Sequence, residues 1–397
     1  MGDTSARLDR KQLPLFAAIG LLACFMFLDR YLIGFTVSRL TEIYGFAAGE
    51  VGLLLSGFYL GFIISTLLGG YVVDRFGARW FVVLMAAMLA TVSFLFGLSA
   101  ALPLFIGLRF MAGLGQSAYS AGIPKLLVEG FRSEQIAGVQ GKLGACAGFA
   151  GVIAATVGQW LLSSAETWQN AYYALGAGFI VTCVLLAITL PRRRRESASA
   201  RPDLRAAWGS VPTWVLAGAY FLNNIVVVAL ISWMPSVVGA LPGSDHPFAP
   251  YVMLGFYVVE GIAIAYGSAV ARKRYWDKMP QFILATALVG AIGLVLFVRV
   301  TAFVPAVLVM YVAIAFTFIS DAAMLLLPYR YVPASVISSA FSIVYVGGYI
   351  GGLISPMIVS LFAVGGVANF AVSFPVYAVI LLVSSLLLFA LPKPATA

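Results

Sequence analysis

The sequence predicts an all-α integral membrane protein with twelve transmembrane helices in two pseudo-symmetric six-helix bundles. Three observations predict it. Of the 397 residues, 62% are hydrophobic and 10% charged, against about 25% charged in an ordinary soluble domain. Apolar runs long enough to cross a bilayer recur along the whole chain, and at roughly 30 to 35 residues per span and connection the length accommodates about twelve. The basic residues collect in alternate connections. Apart from Arg30 and Arg109 within spans, and Arg39 and Arg299 at the opposite ends, the lysines and arginines fall in connections assigned to one face. That pattern predicts a multi-pass protein of the plasma (inner) membrane with both termini cytoplasmic. The net charge of +9 is then a matter of orientation and asks for no nucleic-acid partner.

The apolar runs place spans at about 13–37, 51–72, 80–101, 103–128, 137–162 and 168–190 in the first half. The second half has them at about 212–237, 250–271, 280–299, 302–327, 334–362 and 367–392. Residues 191–208 form the linker, which opens with Arg192, Arg193, Arg194 and Arg195. The arginine run reads as a membrane-flanking anchor. The predicted domains are therefore 1–190 and 209–397. Cys24, Cys146 and Cys183 sit singly in apolar spans and read as packing residues. His246 lies in a Pro/Gly/Asp connection with no ligand cluster beside it. No metal or cofactor is expected.

Span one carries the pair Asp29-Arg30 in otherwise apolar surroundings. Charges within a spanning helix are costly and mark a pathway or site. At 1.5 Å per residue, Asp29 and Arg30 lie roughly 24–26 Å above the start of span one, and Arg109 at roughly 21 Å. Arg109, Gly113 and Gln116 share one face of span four, because separations of four and seven residues return to the same side of a helix. Two guanidiniums at one level with one carboxylate suit an anion, since arginine meets a carboxylate with two parallel hydrogen bonds. The alternative is that Asp29 simply neutralises Arg30 and Arg109 binds backbone carbonyls as packing, which would leave Arg109 without an acid partner at its height, a costly arrangement in hydrocarbon surroundings. Glu260 lies near the middle of span eight as the best isolated acid of the second half. Asp321 in span ten is expected to pair with Arg272 or Arg330 in an inner gate. Tyr59 and Asn223 are candidate polar contacts to substrate.

The connection between spans two and three reads Gly69-Gly70-Tyr71-Val72-Val73-Asp74-Arg75-Phe76-Gly77-Ala78-Arg79. It resembles the signature loop of the major facilitator superfamily: glycine, then Asp-Arg, a residue, Gly and further basic residues. The resemblance implies a role for Gly70, Asp74, Arg75 and Arg79 in a conformational gate. An internal repeat agrees with it. Phe221-Leu222-Asn223-Asn224 lines up with Phe27-Leu28-Asp29-Arg30, and at nearly the same offset Gly267 and Arg272 line up with Gly70 and Arg75. Ala271 stands where the second copy of Asp74 would be. For this superfamily the substrate site is expected between two parallel halves.

At branch level Asp29-Arg30 with Arg109 looks like the organic anion symporters of the anion/cation symporter branch. The resemblance implies that Asp29 takes a proton, Arg30 holds a substrate carboxylate and Arg109 assists; apart from it, the isolated acid Glu260 is the second-choice proton site. That branch has a glutamate where this chain has Gln116, which leaves single-proton symport, exchange and facilitated diffusion as alternatives. The expected partners are a small anionic substrate, protons and the bilayer, with a monomeric chain. The rivals are an exporter of drugs or lipophilic compounds, or a lipid transporter, on the same fold. The Gly-Pro pattern expected in span five of drug/proton antiporters is missing. An enzyme would need a nucleophile, base or metal constellation, and a nucleotide-driven pump would need a phosphate-binding loop; neither pattern is present.

Overall fold

The computed structural model describes residues 8–46, 48–162, 168–190, 205–241, 246–362 and 369–392. Most of the predicted linker, including Arg192 to Arg195, lies outside the described residues. The described residues form helices and connections, with no strand among them. Spans one to three are Leu13–Tyr44, Ala48–Phe76 and Ala78–Gly97. Span four is composite: Leu102–Ser117, a π-helical turn at Ala118–Gly122, and Ile123–Gly130. Spans five and six are Ser133–Ile153, continuing through the π-helical Ala154–Gly158, and Gln169–Thr189. Spans seven to twelve are Val211–Ala240, Ala249–Arg274, Met279–Phe297, Phe303–Met324, Ile337–Leu361 and Phe370–Leu387. Eleven helices among the described residues are long and apolar enough to cross a membrane; span four, broken into pieces, completes the set.

Local chemistry sets the ends. Proline occupies the first turn of spans one, four, seven, eight and nine, where its missing N–H would have had no helical acceptor. Span one ends at Gly45, whose φ of 70° lets its N–H bond the Thr41 carbonyl at 2.9 Å. Gly77 alone joins spans two and three, with φ 89° and ψ 156°. A side chain would be strained there, which is why the signature carries glycine at this point.

The chain divides into two compact units. One comprises Met1–Val139, Phe149–Ala207 and Pro333–Ser342, the other Gln140–Gly148, Trp208–Val332 and Ile343–Ala397. Within the first, span two packs on four, three on four and six, and one on six. Within the second, span eight packs on ten, nine on ten and twelve, and seven on twelve. The same pairing pattern at the same places is the structural form of the repeat read from Phe27–Arg30 and Phe221–Asn224.

Glycines allow the closest approaches in the second unit. A Cβ on Gly148 would lie 2.5 Å from the Gly261 nitrogen, and one on Gly347 would lie 2.7 Å from the Ala217 carbonyl oxygen. Backbones this near gain dispersion contacts that lipid cannot supply.

Candidate substrate site

Span two meets span four through glycines on both helices. A Cβ on Gly113 would stand 2.8 Å from the Phe62 nitrogen, and one on Gly61 would reach 3.0 Å from the Phe110 carbonyl carbon. This close crossing carries Phe58 and Phe62 onto the level of the charged residues.

Asp29, Arg30, Arg109 and Gln116 form one connected cluster in the first unit. Arg109 Nη1 donates to Asp29 Oδ1 at 3.1 Å and Oδ2 at 3.3 Å. Gln116 Nε2 donates to Asp29 Oδ2 at 3.2 Å and to the Met26 carbonyl at 3.0 Å. Its Oε1 accepts from Arg30 Nε at 3.0 Å. Asp29 is 3% exposed, Arg109 2% and Gln116 fully buried, whereas Arg30 is half-buried. The Arg109 guanidinium lies 4.7 Å from the Phe58 ring centre. The Arg30 guanidinium lies 5.6, 5.9 and 5.2 Å from those of Phe27, Phe58 and Phe62. Ring faces stabilise a cation there without neutralising it.

Arg109 thus has Asp29 as its acid, which the alternative of Asp29 simply neutralising Arg30 had denied it. Asp29 and Arg30 are consecutive on a helix, so their side chains leave it about 100° apart. The carboxylate therefore faces span four, while Arg30 turns to the rings and Gln116. The three charged groups carry two positive charges and one negative, and the half-buried member is a cation.

Tyr59 is half-buried, with its ring edge-on to Phe58 at 5.5 Å. In the second unit, Asn223 Nδ2 donates to Asp321 Oδ1 at 2.6 Å, both residues being buried. The expected pairing of Asp321 with Arg272 or Arg330 is overturned. Arg330 bonds the Trp276 carbonyl and lies 3.5 Å from Asp277, and Arg272 stacks 4.2 Å from the Trp276 ring. Those cations turn to Trp276 and Asp277, while Asp321, buried in the last turn of span ten, turns to Asn223 on span seven. Glu260 is 2% exposed on span eight, beside the Gly261–Gly148 crossing.

At the end of span two, Asp74 Oδ2 accepts from the Ser339 N–H at 2.8 Å and from its Oγ at 2.7 Å. Oδ1 accepts from the Ser338 N–H at 3.4 Å and meets Lys125 Nζ at 3.4 Å. The carboxylate thus caps the start of span eleven, where unpaired N–H groups and the helix dipole favour an anion. A Cβ on Gly70 would come within 3.0 Å of Ser339 Cα, so glycine lets this end of span two approach. Arg79 donates to the carbonyls of Leu190 and, at 2.6 Å, Ala187, closing the end of span six. Arg75 donates to Tyr71 Oη at 2.5 Å and lies over the Tyr71 and Phe76 rings. Sequence reading had passed over Lys125, Ser338 and Ser339. Lys125 is a lone cation at the end of span four, which was a usable signal; the two serines carry none.

The sequence model of the Major Facilitator Superfamily matches residues 19–356. The chain belongs to the Major Facilitator Superfamily. It is 24% identical over 246 residues to the hexuronate transporter of Bacillus subtilis (strain 168), covering 57% of each chain. It is also 24% identical over 237 residues to the voltage-gated purine nucleotide uniporter SLC17A9 of Homo sapiens, covering 54% of this chain and 53% of that one. The chain thus spans about half the length of these curated relatives. A solved structure of the proton:xylose symporter XylE, bound to 6-bromo-6-deoxy-D-glucose, matches with a TM-score of 0.80. That match covers 98% of this chain and 96% of the other at 15% identity, a likeness that establishes the fold and nothing further. The chain is a multi-pass membrane protein of this superfamily.

Proposed function

We propose that this protein is a secondary transporter that moves a small organic anion, a carboxylate, across the plasma membrane together with a proton, by alternating access. The observation that carries this reading is the Asp29–Arg109 pair joined through Gln116 to the half-buried Arg30. Arg109 in hydrophobic surroundings needs an anion, and Asp29 supplies it when no substrate is bound. A proton on Asp29 weakens that hold, and the substrate carboxylate then takes its place on Arg109 and Arg30. One proton and one negative charge enter together, so the cluster keeps its net charge through the exchange. Gln116, Tyr59 and Asn223 supply neutral contacts, and Glu260 is the second proton site. The names of the relatives support an anionic cargo: a hexuronate and a purine nucleotide are both organic anions.

Asp74 serves as the latch of the cycle, with Gly70, Arg75 and Arg79 around it. It holds the start of span eleven in one access state and releases it in the other. Asp321 acts through Asn223, not through a cation. The distribution of basic residues supports cytoplasmic termini.

The test is uptake of radiolabelled carboxylates by protein reconstituted in vesicles, with and without an inward acid gradient. Wild type is expected to accumulate one of them when the outside is acid, and Asp29→Asn to lose the acid stimulation. If Asp29→Asn responds to acid as wild type does, the proton role lies elsewhere; if no carboxylate enters, the reading fails.

A further inference from the structure

We propose that the anion held at Arg30 is a carboxylate with a flat apolar body, an aryl or aryl-alkyl carboxylate, and that Phe27 selects it. This rests on the reading that Arg30 holds a carboxylate, and adds what the rest of the molecule looks like. Three phenyl rings stand within 6 Å of the Arg30 guanidinium carbon. They divide by exposure. Phe58 is 4% exposed and Phe62 fully buried, so these two back the guanidinium from within the span two–four crossing. Phe27 is half-buried, as Arg30 is, and the two share one side of span one at a separation of three residues. A group that reaches Arg30 from the accessible side therefore comes to rest against the Phe27 ring.

That ring is held in position. Tyr119, from the π-helical turn of span four, is 6% exposed and meets Phe27 edge-on at 5.2 Å and 71°. The irregular turn thus supports the wall. Aromatic partners gain from this edge-and-face geometry beyond their buried area. Two polar side chains beside Arg30 have tasks already: Gln116 is committed to Arg30, Asp29 and Met26, and Asp29 to Arg109. A cargo with many hydroxyls would leave them against phenyl rings, and a buried hydroxyl without a partner is costly.

The experiment measures binding to the purified full-length chain by thermal shift or radioligand competition. The probes are benzoate, 3-phenylpropionate and glucuronate, applied to wild type, Phe27→Tyr, Phe27→Leu and Arg30→Ala. One of the two aryl acids is expected to bind about tenfold more tightly than glucuronate. Phe27→Tyr should keep that preference, and Phe27→Leu should lose most of it while leaving the unliganded melting temperature close to wild type. If glucuronate binds as tightly as the aryl acids or more so, and Arg30→Ala abolishes it, the aryl inference is overturned while the organic-anion reading stands. If none of the three binds, the aryl inference falls, and the organic-anion reading is then decided by the uptake of other carboxylates.

Discussion

Asp29 is joined to Arg109 across spans one and four, with 3.1 Å between Oδ1 and Nη1, while the Gln116 amide bridges Asp29 and its chain neighbour Arg30. The relationship gives the two arginines different work. Arg109 is fully buried and charge-balanced within the protein. Arg30 stays half-buried, linked to the pair through a neutral amide. A carboxylate arriving at Arg30 is thus one amide away from the acid it would displace.

The first prediction concerns this pair. Removing one partner leaves an uncompensated buried charge, which costs about 3–5 kcal/mol. Arg109→Leu and Asp29→Leu are each expected to lower stability by that order in detergent unfolding. The double variant should recover a large part of the loss, since two well-packed apolar groups leave no charge behind. Additive losses would contradict the pairing.

Gln116 provides the second. Gln116→Leu takes an acceptor from Arg30 Nε and a donor from Asp29 Oδ2. Hydrogen bonds to charged groups are worth about 1.5–3 kcal/mol, so KM for the transported anion should rise by about tenfold or more. Initial-rate uptake at several concentrations reads the split: a fall in maximal rate with KM unchanged would move Gln116 out of the site.

How far was this legible beforehand? The spans follow from apolar length alone. The Arg109–Gly113–Gln116 face follows from helical spacing, because both are local properties of the chain. The partner of Asp29 does not follow, because it depends on how span one is rotated against span four, and a height estimate says nothing about rotation. Asp321 went astray for the same reason. Its distance along span ten suggested Arg272 or Arg330, but its actual partner, Asn223, sits on span seven, at the position that the repeat aligns with Asp29. The π-helical turn that carries Tyr119 comes just before Pro124, whose missing N–H interrupts the helical ladder of span four, a mark the span boundaries alone do not use.

The third prediction uses two glycines of span four. Gly113→Ala drives a Cβ against the backbone of Phe58 and Phe62, while a Cβ on Gly107 has nothing within 4 Å. Overpacking of this kind costs about 1–3 kcal/mol. Gly113→Ala should lower the melting temperature and weaken anion binding, and Gly107→Ala should do neither. Equal behaviour of the two would mean that spans two and four do not cross at Gly113.

Fourth, Asp74→Ala removes the acceptor for the Ser339 N–H and hydroxyl. Losing a cap of this kind costs about 0.5–2 kcal/mol. Ser338 is fully buried. In a Ser338→Cys background, Asp74→Ala should therefore speed alkylation of the cysteine and slow transport. Unchanged labelling would show that Asp74 does not hold the start of span eleven.

The central claim is that a carboxylate binds at Arg30 and Arg109. The most direct measurement is the thermal shift produced by a panel of carboxylates on purified wild type, Arg30→Ala and Arg30→Lys. At least one carboxylate is expected to raise the wild-type melting temperature, with the shift absent in Arg30→Ala and reduced in Arg30→Lys. A full-sized shift that survives in Arg30→Ala would contradict the account.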